Sequence, residues 1–263
     1  MSVKTEPDPI EEQEGEGGEG GLHGQMSFLD HLEELRRRII HMLIAVGIAF
    51  AACWTFAIPL FNIVQKPVQK ALGNQQLVFL TITEPFNLQL KIALTAAIFL
   101  ASPFIMAQVW LFVAPGLYKR ERRYAAPFII CSSLLFILGG VFGYYVAFPF
   151  AVQFLISMGR DMGLTAQVTA GDYFDKFIMI ELGLGIVFEI PALIFVLARF
   201  GLVTAGFLLR NTKYAVLISF VVAAILTPTS DIPNMMIMAV PMIMLYLFGV
   251  IVAFFFGKKR EAE

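Results

Sequence analysis

The sequence predicts an all-α integral membrane protein with six transmembrane helices and with both termini in the cytoplasm. Of its 263 residues, 58% are hydrophobic and only 15% are charged. Soluble domains carry about 25% charged residues. Because the charges are missing over long stretches and recur in clusters between them, we expect those stretches to face lipid.

Six apolar segments account for the predicted spans, and a spanning helix needs about 20 such residues. Prolines inside them are tolerated, because neighbouring helices can bond the carbonyls that a proline leaves free. The fifth segment is short and covers roughly 20 Å of a 30 Å hydrocarbon core. Either the bilayer thins near spans five and six, or protein shields this hairpin. The segments are 39–61, 86–113, 128–156, 174–200, 214–226 and 235–256.

Lysine and arginine placement predicts the orientation, because cytoplasmic loops carry an excess of both. Clusters lie before span one, between spans two and three, between four and five, and after six. The opposite loops hold only Lys66, Lys70 and Arg160. The clusters are Arg36, Arg37 and Arg38; Lys119, Arg120, Arg122 and Arg123; Arg199, Arg210 and Lys213; and Lys258, Lys259 and Arg260.

The two ends of the chain differ from the membrane domain, which we place at 26–257. Residues 1–25 form an acidic tail with few apolar residues, which we expect to be disordered. A solubilising extension is favoured over a dedicated acidic function, and Met26 offers an alternative start. Residues 258–263 form a cytoplasmic C-terminal tail. Cys53 and Cys131 lie in apolar runs and are interpreted as buried free thiols.

Two basic segments also carry acids. Residues 27–38, SFLDHLEELRRR, predict a short amphipathic helix at the cytoplasmic interface, with Glu33–Arg37 and Glu34–Arg38 as candidate i,i+4 pairs. The loop at 114–127, APGLYKRERRYAAP, places Glu121 among four cations. Glu121 either neutralises these neighbours or binds a cationic ligand.

Three further acids lie in or near the spans. Glu181 and Glu189 fall inside span four, where an ionisable side chain normally faces a cavity or a partner. For Glu189 the structural alternative is a protonated acid bonded to a neighbouring helix. Asp231 follows the short fifth span and is interpreted as a turn residue before Pro233.

Four motifs resemble the TatC family, the multispanning receptor of the twin-arginine protein translocase. They are HLEELRRR at 31–38, QVWLFVAPGLYKRERR at 108–123, FEIP at 188–191, and LTP followed by Asp231. The resemblance covers essentially 26–257 and keeps order and spacing. It implies binding of signal peptides with two adjacent arginines, in the cytoplasmic membrane, within a multimeric complex.

The resemblance also implies residue roles. Glu34, Arg36 and Glu121 match the family positions that form the signal-peptide site, and Phe112, Pro115 and Tyr118 are neighbours that shape the loop. Carboxylates match the guanidinium fork, which lysine does not reproduce.

A second implied site lies within the membrane. Glu189 matches a position in the concave groove of a cupped helical arrangement, where single-span subunits of the TatA/TatB type bind. Glu181 has no such match, and its role stays open. Asp231 matches a position important for translocation.

Other functions fit the sequence less well. All three histidines lie near the N-terminus, and no metal, nucleotide or hydrolase motif appears, so we expect no enzyme, no cofactor and no nucleic-acid partner. A proton-coupled secondary transporter using Glu181 and Glu189 is the main alternative, but such proteins usually show internal repeats, which are absent here. An intramembrane hydrolase would need a nucleophile–base pair.

Overall fold

A computed structural model describes residues 28–73, 76–113, 125–227 and 231–257. Within these ranges five helices are long and apolar enough to cross a membrane, and Thr212–Leu226 is a shorter apolar helix. The extended backbone there is limited to an isolated bridge between Val78 and Thr169. The predicted all-α multi-pass fold with a short fifth span is therefore confirmed.

The helices follow the predicted spans closely. In chain order they are α1 (Phe28–Thr55), α2 (Ala57–Val64), α3 (Lys66–Leu72), α4 (Glu84–Val113), α5 (Ala125–Phe142), a π-helical turn (Gly143–Ala147), α6 (Phe148–Asp161), α7 (Ala170–Phe188), α8 (Ile190–Arg199), α9 (Ala205–Arg210), α10 (Thr212–Leu226) and α11 (Ile232–Phe256).

Span one differs from its prediction at one end. The amphipathic helix predicted over 27–38 was expected to lead into span one, and its described residues do form the start of α1, which runs without a break from Phe28 to Thr55. At the other end the helix breaks at Phe56 rather than continuing to residue 61. Pro59 explains this break, since it cannot donate a hydrogen bond to the carbonyl of Thr55 and its ring crowds that carbonyl.

Prolines elsewhere have different outcomes. Pro103 lies inside α4, and the Ser102 hydroxyl donates to the carbonyl of Phe99 at 2.8 Å, the acceptor that Pro103 leaves free. The helix therefore continues. In span four, by contrast, the helix is interrupted at Glu189, between α7 and α8 and two residues before Pro191.

The spans pack as helix pairs, with α1 against α4, α5 against α7, and α8 and α10 against α11. The α5–α7 crossing is especially close. A Cβ added to Gly139 would lie 2.6 Å from the carbonyl oxygen of Leu184 and 2.9 Å from Cα of Gly185. Only glycine at this position permits that approach.

Polar contacts join α4 to α7 at the ends where both helices begin. Glu84 accepts hydrogen bonds from the backbone N–H of Gly171 at 2.5 Å and of Leu80 at 2.8 Å. Two turns further along α4, Lys91 forms an ion pair with Asp175, which lies one turn further along α7; Nζ and Oδ1 are 2.5 Å apart.

Both cysteines are free thiols. Cys53 is buried, as predicted, but Cys131 is exposed, so the prediction that both thiols are buried is wrong for Cys131.

Candidate functional site

The start of α1 and the end of α4 meet at one end of the bundle. The imidazole of His31 stacks on the ring of Phe112, with centroids 4.4 Å apart and planes 19° from parallel. Arg38 Nη2 donates to Glu34 Oε1 at 2.9 Å, and Arg38 Nη1 donates to Gln108 Oε1 at 3.1 Å. Glu34, Arg38 and Gln108 form what we call the α1–α4 polar cluster.

Glu34 is a buried acceptor rather than a solvated surface charge. Only 8% of the residue is exposed, and its second oxygen, Oε2, is buried with no hydrogen-bond partner in the structure. The predicted Glu34–Arg38 pair is confirmed. The predicted Glu33–Arg37 pair is wrong: both residues are described and exposed, and they form no ion pair.

The predicted signal-peptide residues are placed in part. Phe112 lies one helical turn beyond Gln108 and contacts α1 through His31. Arg36 is exposed, and two residues of helix turn it away from the buried Glu34. Pro115, Tyr118 and Glu121 lie outside the described residues.

Gln108 is a functional candidate to which sequence reasoning assigned no role, although it begins one of the recognised motifs. The signal was an amide side chain within an apolar span, four residues before Phe112 and on the same helical face. Its partner Arg38 is 70 residues away, so no local pattern could have paired them.

Glu189 lies at the α7–α8 break. Its Oε2 accepts a hydrogen bond from the hydroxyl of Ser132 in α5, and its Oε1 is buried without a partner in the structure. This is the bond to a neighbouring helix that the structural interpretation predicts.

Glu181 lines a cavity that Glu189 does not reach. The cavity has a volume of about 470 Å³ and is bounded by α2, α4, α5, the π-helical turn and α7, almost entirely by apolar side chains. Glu181 is 4% exposed, and its Oε1 has no partner in the structure. A Cβ on Gly143 would lie 2.8 Å from this oxygen, so the glycine makes room for the carboxyl group.

Asp231 caps the first turn of α11. Its Oδ1 accepts from the backbone N–H of Asn234 at 2.9 Å, and its Oδ2 accepts from the Asn234 side-chain amide at 2.8 Å. Aspartate is a favoured N-cap because it bonds such otherwise free N–H groups. Asp231 is therefore the N-cap of α11 and not only a turn residue before Pro233.

Comparisons with known proteins agree with this architecture. The family model described as "Sec-independent protein translocase protein (TatC)" matches residues 30–241. A protein of that name from Koribacter versatilis is 51% identical over 247 residues, covering 90% of each chain. Another, from Desulforapulum autotrophicum, is 38% identical over 237 residues, covering 90% of this chain and 87% of the relative.

Solved structures show the same similarity. "Crystal Structure of Twin Arginine Translocase Receptor- TatC" matches with a TM-score of 0.74 at 34% identity, covering 85% of this chain and 97% of that one. A second structure of that receptor, in DDM, matches with a TM-score of 0.77 at 34% identity and covers 87% and 100%. Together with the family model, these matches show that the chain belongs to the TatC family of protein translocase components.

Proposed function

We propose that this chain is the signal-peptide receptor and core component of a twin-arginine translocase, which binds the signal peptides of folded proteins for export. The observation that carries the proposal is the buried Glu34 carboxylate at the end of the bundle, with its Oε2 unpartnered. Such an acceptor is available for a charge-assisted hydrogen bond from a guanidinium. Membership in a translocase family and the titles of the two matched structures support it.

The proposed site comprises Glu34 and Glu121 as acceptors, with Arg36, Phe112, Pro115 and Tyr118 around them. Two carboxylates in separate segments suit two adjacent arginines. Its role is binding and scaffolding rather than enzymatic. The alternating basic clusters favour a cytoplasmic membrane location with both termini inside. The proton-coupled transporter is not favoured, because family membership supports protein translocation instead.

A direct binding assay tests this proposal. Membranes containing the protein should retain a peptide with two adjacent arginines and should retain its twin-lysine counterpart poorly, because an ammonium group cannot form the planar fork. Photo-crosslinking to the labelled peptides measures both. Equal crosslinking of the two peptides would overturn arginine-specific recognition at this site.

We also propose that Glu189 and Glu181 contribute to binding of single-span TatA/TatB-type subunits in a multimeric complex. Each has a buried carboxyl oxygen without a partner in the structure. An unpaired polar atom in an apolar environment is stabilised by a hydrogen bond from a neighbouring helix. Asp231 would act separately in translocation, by fixing the first turn of α11.

Replacing Glu189 with alanine should weaken association with a single-span subunit and leave signal-peptide binding largely intact. Co-purification of a tagged subunit measures the association. Glu189→Gln is the matched control, because its side-chain oxygen still accepts the hydrogen bond from Ser132 and its amide can still bond to a neighbouring helix. If alanine abolished peptide binding and subunit association together, Glu189 would instead be required for folding.

A further inference from the structure

The guanidinium of Arg38 donates hydrogen bonds to side chains on two helices. One nitrogen, Nη2, bonds to Glu34 on its own helix, and the other, Nη1, bonds to Gln108 on α4. A guanidinium only donates hydrogen bonds, so the Gln108 amide must turn its oxygen toward it. Gln108 therefore anchors Arg38 from the side of α4.

The Arg38–Glu34 pair itself is only half formed. Arginine and carboxylate usually pair through two parallel N–H···O bonds. Here the two atoms that would complete such a fork, Arg38 Nε and Glu34 Oε2, are both buried and have no partner in the structure. The Nε–H donor of Arg38 and the Oε2 acceptor of Glu34 are thus both unbonded, although the two side chains are already in contact.

We propose that Gln108 is a positioning residue that keeps the buried Oε2 of Glu34 unbonded within the chain, as an acceptor for the guanidinium of a ligand. By holding Arg38 in a single bond to Glu34, it leaves Oε2 as the acceptor for an arginine of the ligand. Without Gln108, Arg38 would rotate into the full fork and occupy both oxygens of Glu34. Arg38 is then an internal competitor for the ligand arginine, and the inference rests on the proposed function above.

The test replaces Gln108 with methionine, which has a similar length and no strong acceptor. Loss of one charge-assisted bond to the ligand should weaken binding of a twin-arginine peptide about tenfold. Gln89→Met is the matched control, since it makes the same change near the opposite end of α4 and should bind the peptide as wild type does. Binding is measured by titrated photo-crosslinking in membranes, with the amount of folded protein determined alongside.

Two further variants separate positioning from a merely structural role. Arg38→Lys in the Gln108→Met background should restore peptide binding, because lysine cannot form the fork and leaves Oε2 free. Gln108→Glu should bind at least as tightly as wild type, because a carboxylate holds Arg38 on α4 more strongly. A variant that only damaged packing would be rescued by neither change.

The outcomes distinguish this inference from the proposed function. If Glu34→Gln weakens peptide binding and Gln108→Met does not, the inference is wrong and the receptor function stands. If Gln108→Met weakens binding and Arg38→Lys fails to restore it, the competitor role of Arg38 is overturned. Should Gln108→Met fail to fold, a Gln108→Glu variant that binds more weakly than wild type would overturn the inference by itself.

Discussion

Replacing Glu34 or Glu121 with glutamine should weaken binding of a twin-arginine peptide by about ten- to hundredfold. Each substitution removes a charge-assisted contact worth about 1.5–3 kcal/mol, and every 1.4 kcal/mol corresponds to about tenfold in affinity. Glutamine preserves shape, and at position 34 it keeps an oxygen that accepts from Arg38 Nη2. Titrated crosslinking of the labelled peptide measures the change.

Glu33→Gln is the matched control for this prediction. It makes the same change in charge one residue away, on an exposed side chain that has no ion pair in the structure, and should bind the peptide normally. Receptor assembly in the membrane should be unchanged in all three variants. Wild-type affinity in both Glu34→Gln and Glu121→Gln would show that these glutamates are only loop and helix charges.

Replacing Gly139 with alanine should destabilise the folded protein. The new methyl group would lie 2.6 Å from a backbone oxygen and 2.9 Å from a backbone carbon of α7, neither of which can rotate away. Overpacking of this kind costs about 1–3 kcal/mol. That outweighs the gain of roughly 0.5–1 kcal/mol from removing a helical glycine. The helices must separate, which also loosens the α5–α7 contacts around Glu181.

Gly47→Ala provides the comparison, since nothing lies within 4 Å of a Cβ added there. Alanine in that exposed part of α1 should be neutral or slightly stabilising. Thermal unfolding of the detergent-solubilised variants, followed by size-exclusion chromatography, measures the difference. If the two variants unfolded at the same temperature, the close α5–α7 crossing would be wrong.

Hydropathy and charge predicted most of the fold, because a bilayer leaves few ways to arrange apolar segments of this length. The short fifth span was evident from the 13-residue stretch at 214–226, which is apolar except for Ser219, and the structure extends it only to Thr212–Leu226. The break in span one was missed, although Pro59 marks it. A proline predicts a weakened helix but does not decide whether the helix continues, as it does through Pro103, or ends, as it does before Pro59.

The candidate site was less predictable, because its geometry depends on which helices pair. Helical periodicity identified Glu34 and Arg38 as neighbours, since they are four residues apart on α1. Burial of Glu34 follows from α1 packing on α4, which no local pattern encodes. The same holds for Glu181: its depth was evident from hydropathy, whereas the cavity depends on four separate helices and on Gly143.

The bonds at the two ends of α4 have a mechanical consequence. This helix of 30 residues is about 45 Å long. Near its final turns Gln108 is bonded to Arg38, while at its start Glu84 and Lys91 are bonded to Gly171 and Asp175. A rigid tilt of α4 at the end that carries Phe112 would therefore pull on the start of α7 across the membrane. Such a movement would be transmitted along α4 from the α1–α4 polar cluster to the start of α7.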